Sequence, residues 1–257
     1  MNLTVAASTQ NLSPETVFDL LMRVRQKSPR IHAITNAVAQ TFTANTLLAL
    51  GAVPSMTIAK DEVAGFAESA DALLINLGTL DESRREAIPV AIKAAKAAGR
   101  PVSIDPVFVN RSGVRCAFAR ELMAFQPDLL RLNEAEMVAL FPQRSEADAV
   151  ISAGTVLAVT GVEDKIESLG EDFRLRNGHP LMARVTATGC AGGAVLAAFA
   201  CVEADTALAA ACGLSVFNIA GELAASRAGG PGSLVPELLD ALYSITANDI
   251  EMRLKTA

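Results

Sequence analysis

Apolar and polar positions along the chain alternate between two patterns. Short runs that are apolar on almost every residue, Ile31–Thr35, Ala72–Leu77, Pro101–Asp105, Leu129–Asn133 and Thr155–Thr160, read as strands buried on both faces. Between them lie longer stretches with helical spacing. Residues 15–27 place Val17, Leu20, Leu21 and Val24 on one face, with Ser13-Pro14 as N-cap and first position. Val38–Ala49 ends at Gly51, Glu82–Ala98 closes on Gly99, and a further helix runs from Asn133 through Leu140. Lys165–Ser168 and Phe173–Arg176 form a hairpin turned around Gly170, and Asn177-Gly178 offers another tight turn. From Cys190 onward the pattern is almost wholly helical. Buried strands alternating with long helices predict one α/β domain over residues 1–257, its mostly parallel sheet covered on both sides. Neither an internal repeat nor a Ser/Pro-rich linker divides it.

Ligands of such sheets bind beyond the carboxyl ends of the strands. The residues there are Thr35-Asn36, Asn76–Thr79, Asp105-Pro106, Asn133–Glu136 and Thr160-Gly161. Polar and acidic residues recur at these positions, which a purely structural protein would not require. Composition narrows the partners. Apolar residues make up 51% of the 257, which excludes extended disorder. A net charge of −6 and 4% aromatic residues argue against nucleic acid and anionic membranes. Ile31–Ala59 and Val185–Val202 lack charged residues, but their Asn, Gln and Thr side chains and interrupting Gly and Pro read as buried soluble segments. The N-terminus shows no basic region followed by an apolar run, and Cys116, Cys190, Cys201 and Cys212 form no C-x-x-C pair. A cytoplasmic protein with free thiols is the expectation.

The sharpest local motif is Thr186-Ala187-Thr188-Gly189-Cys190-Ala191-Gly192-Gly193, leading straight into a helix. Unpaired N–H groups at a helix start, approached closely through glycine, suit a phosphate or a developing phosphoryl oxyanion. No Gly-Lys-Ser/Thr follows, so this is not a Walker loop. Gly192 and Gly193 are equally explained by close helix packing. Cys190 sits in the first turn, where the dipole is expected to favour its thiolate, so it could be nucleophile, base or a polar contact. His32 and His179 show neither metal-ligand spacing nor a nucleophile partner. Asp105 and Glu136, each after an apolar strand, would hold Mg²⁺ through water, although Glu136 could equally be an ordinary first-turn acid. Arg115 reads as a phosphate clamp or a surface cation. Together these features indicate phosphoryl transfer, which depends on positioning and electrostatics.

Ile34-Thr35-Asn36, Leu47–Ala52, Pro54-Ser55-Met56, Asn76–Leu80, Asp105-Pro106-Val107, Asn133–Glu136, Ala158–Gly161 and Gly230–Ser233, in this order, resemble the hydroxyethylthiazole kinases. These are thiamine-salvage enzymes of the ribokinase-like superfamily. The resemblance covers nearly the whole chain. It implies a three-layer αβα sandwich without a separate lid domain, and transfer of the ATP γ-phosphate, with Mg²⁺, to the primary hydroxyl of 4-methyl-5-(2-hydroxyethyl)thiazole. It further implies a homotrimer with the thiazole at a subunit interface. By that likeness Asn36, Val38, Met56, Ala187 and Cys190 line the thiazole pocket. Arg115, Asn133, Thr160, Gly161, Thr188 and Gly189 bind ATP, Glu136 and Asp105 serve the metal, and Cys190 is catalytic. The chain departs from the family at Ala187, usually Gly, and at Phe108–Gly113, usually a small Gly-rich turn. It also departs at Thr57-Ile58-Ala59 and between Phe141 and Ile151, which is shortened. Hydroxymethylpyrimidine kinase, an ATP-dependent dehydratase of hydrated nicotinamide cofactors and a silent ligand-binding relative are the alternative readings.

Overall fold

The structure, a computed structural model, describes residues 12–256; the sequence reading that no leader precedes the domain concerns residues outside this range. Eight strands form one sheet: β1 (Arg30–Ile34), β2 (Val53–Ser55), β3 (Ala72–Asn76), β4 (Val102–Asp105), β5 (Leu129–Asn133), β6 (Val156–Thr160), β7 (Asp164–Glu167) and β8 (Phe173–Leu175). Their order is β2-β1-β3-β4-β5-β6-β7-β8. All neighbouring pairs are parallel up to β6, and the β7–β8 hairpin then joins antiparallel. This is the mostly parallel α/β arrangement predicted. The hairpin extends the same sheet instead of forming a lid.

Helices cover both faces. Successive strand side chains point to opposite sides, and the two cores follow that alternation. Leu73 and Ile75 of β3, Val102 and Ile104 of β4, and Leu130 and Leu132 of β5 pack with Ile88 and Ile92 of α4 (Glu82–Ala97). On the other face Ala72 and Leu74 of β3 and Leu129 of β5 meet α1 (Pro14–Lys27), α2 (Gln40–Leu50), α8 (Thr188–Phe199) and α9 (Thr206–Arg227). Each fully buried Leu or Ile stabilises the fold by about 1.5–3 kcal/mol. Because α8 is almost all Ala and Gly, it lies close over the strands. A methyl on Gly193 would come within 3.4 Å of Asp105 Oδ2.

Several boundaries differ from the sequence pattern for local reasons. Helix α2 begins at Gln40, not Val38, because Asn36 Oδ1 accepts the N–H of Ala39 and holds residues 36–39 in a turn. Strand β2 and the helices α3 (Val63–Ser69), α5 (Gly113–Met123), α6 (Glu134–Leu140) and α7 (Arg144–Ser152) complete this part of the fold, and only α6 among them is marked by the sequence pattern. A 3₁₀ turn at Pro180–Arg184, α10 (Pro231–Ser244) and α11 (Ala247–Arg253) follow. Helix α9 is long and apolar enough to cross a membrane, but 89% of its most apolar window is buried inside the protein. The two charge-free stretches are parts of this domain: the first is β1-α2-β2 and the second is centred on α8.

Candidate active site

Three neighbouring strands end in amide and acid side chains on the α8 face. The alternation that sends Leu73 and Ile75 to one core directs Asn76 to the other, and Val102 and Ile104 do the same for Asp105. Asn76 and Asp105 are register partners. They form a buried chain of hydrogen bonds. Asn36 Nδ2 donates to Cys190 Sγ at 3.3 Å and to Asn76 Oδ1 at 3.0 Å, and Asn76 Nδ2 donates to Asp105 Oδ2 at 3.0 Å. Asp105 Oδ1 is buried without a hydrogen-bond partner and lies 3.7 Å from Arg131 Nη1. Burial, opposed by Arg131, raises the Asp105 carboxyl to about 7, with the charge of Glu136 adding to the rise.

The first turn of α8 holds Thr188, Gly189 and Cys190, and no side chain caps it. The dipole is nevertheless outweighed at Cys190. Its thiol is pushed up to about 11, first by burial and then by the nearby Asp105. This corrects the expectation of a thiolate: the group is a neutral thiol at pH 7, held by an amide donor. Thr188 Oγ1 donates to the Val185 carbonyl, and Ala187 adopts a left-handed backbone (φ 67°) to start the helix.

Arg131 is the residue that sequence reasoning missed. It stands inside the run Leu129-Leu130-Arg131-Leu132, and strand alternation turns it toward α8. A methyl on Gly189 would lie 2.9 Å from its Nη1, so this glycine leaves room for the guanidinium against the helix start. Its Nε is buried and has no partner. The available signal was a lone charge in an otherwise apolar buried strand, which demands a partner. From Arg131 a cleft of about 630 Å³ runs past Thr160, Gly161, Ala187, Thr188 and Gly189 to Asn218. Phe217, Leu214, Met182 and Val185 form its apolar walls.

The other sequence candidates divide. Arg115 does not line this cleft; its guanidinium donates to the Val107 carbonyl and faces Glu136. Glu136 is no solvated surface acid: Oε1 accepts the N–H of Phe108 and Oε2 that of Asn133, while Asn133 Oδ1 caps Glu136 N. The pair forms a capping box that also fixes the turn after β4. Phe108, at φ 60° and 59% exposed, occupies that turn. Val38 is 62% exposed, and Met56 lines a separate surface hollow with Thr57, Lys60 and Glu86. His32 and His179 serve local structure: His32 Nδ1 pairs with Ser55 Oγ inside the protein, and His179 Nδ1 accepts the Leu181 N–H. All four cysteines are free.

Among the described residues no group of three or more His, Cys, Asp or Glu could hold a metal. Asp105 Oδ1, without a hydrogen-bond partner and 3.7 Å from the cleft-lining Arg131, nevertheless fits a hydrated Mg²⁺ whose other ligands are phosphate oxygens, the usual way that ion is held.

Comparison with known proteins matches this arrangement. A model of the hydroxyethylthiazole kinase family covers residues 21–248. The chain belongs to the hydroxyethylthiazole kinase family. It is 45% identical over 232 residues to a probable hydroxyethylthiazole kinase of Agrobacterium fabrum, spanning 90% of this chain and 91% of that one. It also superposes on a hydroxyethylthiazole kinase protein from Pyrococcus horikoshii with a TM-score of 0.88 and 35% identity, covering 95% and 98% of the two chains. A ribokinase II from E. coli, solved with ATP and Mg²⁺, shares the fold alone at a TM-score of 0.57 and 15% identity. Within the hydroxyethylthiazole kinase fold, the two departures near the site, Ala187 and Phe108, are both non-glycine residues at positive φ.

Proposed function

We propose that the protein, acting as one domain, transfers the γ-phosphoryl group of ATP to the primary hydroxyl of 4-methyl-5-(2-hydroxyethyl)thiazole in the cytoplasm. The single observation that carries this reading is the convergence of Cys190, Asn36, Asp105 and Arg131 on the uncapped start of α8. The nucleotide lies in the cleft, with Thr160, Gly161, Thr188, Gly189 and Arg131 around its phosphates. Arg131 clamps the phosphates together with Arg115, which the resemblance assigns to ATP and which also holds the Val107 carbonyl. Asp105 and, through water, Glu136 would hold Mg²⁺, which supplies charge neutralisation on the transferring phosphate. Asn133 keeps Glu136 in place.

The hydroxyl oxygen forms the new bond to phosphorus as the bond to the β-phosphate oxygen breaks and ADP leaves. The hydroxyl proton passes late in the step to an oxygen of the transferred phosphoryl group. Such transfers pass through a loose transition state and depend on alignment and charge stabilisation. Arg131 and the α8 N–H groups stabilise the charge on the transferring group. Cys190, neutral at pH 7, orients the hydroxyl; its own lone pairs are aligned by Asn36. Asn36, Val38, Met56 and Ala187 contact the thiazole, with Val38 and Met56 reaching it at the interface of a homotrimer. The exposed Val38, Leu48 and Val53 supply apolar surface for that contact.

ADP release measured with hydroxyethylthiazole present and absent tests the activity, beside hydroxymethylpyrimidine as competing acceptor. Cys190→Ala is expected to lower kcat about 10- to 100-fold, since one oriented contact to the reacting hydroxyl is lost. Cys190→Asp, which still accepts from Asn36, retains turnover. An unchanged kcat in the Ala variant removes Cys190 from the mechanism.

A further inference from the structure

Asn218 is an amide on α9 that lines the cleft beside Asp164. Its Nδ2 donates to Asp164 Oδ2 at 2.7 Å. Asp164 Oδ1 accepts the N–H of Gly161 at 2.9 Å, so the carboxylate is committed on both oxygens. Asp164 is itself buried at the start of β7, and that burial raises its carboxyl above the usual carboxylate range. Turning the Asn218 amide over would set its oxygen against this carboxylate, an unfavourable contact that fixes the orientation. Asn218 Oδ1 consequently points away from Asp164, and no protein group donates to it among the described residues. Gly178 faces the same amide: a methyl there would lie 3.8 Å from Asn218 Cγ. Phe217, Leu214 and Met182 line the same cleft with apolar surface, Phe217 with a flat ring. An oriented acceptor between apolar walls suits a heteroaromatic ring that carries an amino group.

We infer that Asn218, held by Asp164, is a specificity-determining residue that selects a nucleoside triphosphate whose base bears an exocyclic amine at the position where inosine bears a carbonyl. The inference rests on the proposed occupation of the cleft by ATP. The base amine donates to Asn218 Oδ1, whereas the carbonyl of inosine triphosphate sets two acceptors against each other. Asp164 is a positioning residue that acts through Asn218.

The test compares kcat/KM for ATP, inosine triphosphate and 2′-deoxyATP on the full chain, with the thiazole alcohol saturating. The unaltered protein is expected to favour ATP over inosine triphosphate at least about tenfold, the ratio lost with one well-made polar contact. Asn218→Leu is expected to bring that ratio to within about threefold of unity. Asp164→Asn lets the amide present either end, so it shrinks the ratio partly by improving inosine triphosphate. The ratio is insensitive to the fraction of folded enzyme. An unaltered protein that uses ATP and inosine triphosphate equally well overturns the inference without any variant. So does an Asn218→Leu enzyme that keeps the parent ratio. If Asn218→Leu instead abolishes only the distinction between ATP and 2′-deoxyATP, Asn218 reads the sugar and the base assignment falls. Failure of the unaltered protein to turn over any nucleotide contradicts the proposed activity, a result separate from all of these.

Discussion

Gly189→Ala isolates the helix-start site from the stability of the fold. The added methyl would lie 2.9 Å from Arg131 Nη1, 3.1 Å from Nη2 and 3.3 Å from Cζ. Those atoms are the far end of a flexible side chain, so Arg131 swings aside and the backbone does not distort. Alanine also favours a helix over glycine by up to about 1 kcal/mol, so the melting temperature should hold or rise slightly. The displaced guanidinium leaves the phosphate position, where a hydrogen bond to a charged group contributes about 1.5–3 kcal/mol. Converted at 1.4 kcal/mol per decade, kcat/KM for ATP should fall about 10- to 150-fold. Initial rates across an ATP titration, with the thiazole alcohol saturating, measure the loss, and differential scanning calorimetry checks the fold. A variant with an unchanged melt and kcat/KM within twofold of the parent would refute both the placement of Arg131 against Gly189 and its phosphate role.

Two further outcomes concern the same cluster. Ala187 sits at φ 67°, where a non-glycine residue costs about 1–2 kcal/mol, while glycine loses about 0.5–1 kcal/mol more entropy on folding. Ala187→Gly should therefore raise unfolding free energy in denaturant by up to about 1 kcal/mol, and a destabilised variant would show that the Ala187 methyl is needed for packing. Asp105 titrates at about 7 in the fold against an unfolded value of 3.8, so the folded state binds the extra proton between those values. Its contribution is greatest below about pH 4 and is lost as pH rises to about 7, by about 4 kcal/mol for a three-unit shift. The stability of the parent minus that of Asp105→Asn should fall across this window; a difference that stays flat from pH 4 to 8 means that Asp105 ionises as in the unfolded chain.

How far the site was legible varies residue by residue. Asn36, Asp105, Thr160 and the start of α8 were found because each follows a strongly apolar run or opens a helix, and strand ends are where such sheets bind ligands. Arg131 escaped because it lies inside an apolar run and not after one, so that its orientation toward α8 depends on which face of β5 meets which layer. Arg115, a phosphate clamp or surface cation by its sequence and an ATP contact by the resemblance, donates one N–H to the Val107 carbonyl and keeps a buried Nε without a partner. For Glu136 the resemblance implied a metal motif with Asn133, and the fold adds a second duty: both carboxylate oxygens hold backbone N–H groups, one of them from the turn after β4. Helices α3, α5 and α7 and strand β2 were invisible because their short patterns are decided by packing and not by local preference: α3 lies on α4, β2 pairs with β1, and α5 and α7 bury Phe118, Leu122, Ala147 and Ile151 in the core that α4 shares.

By itself the chain determined its alternating layers, its parallel sheet and the set of polar residues at the strand ends, since period, burial and helix capping are local properties of sequence. Tertiary structure alone decided the electrostatics. The position of Cys190 in the first turn of a helix predicts a lowered thiol, but burial beside Asp105 raises it to about 11. Desolvation depends on what covers a group from every side, and only the packing of α8 over three strands supplies that cover.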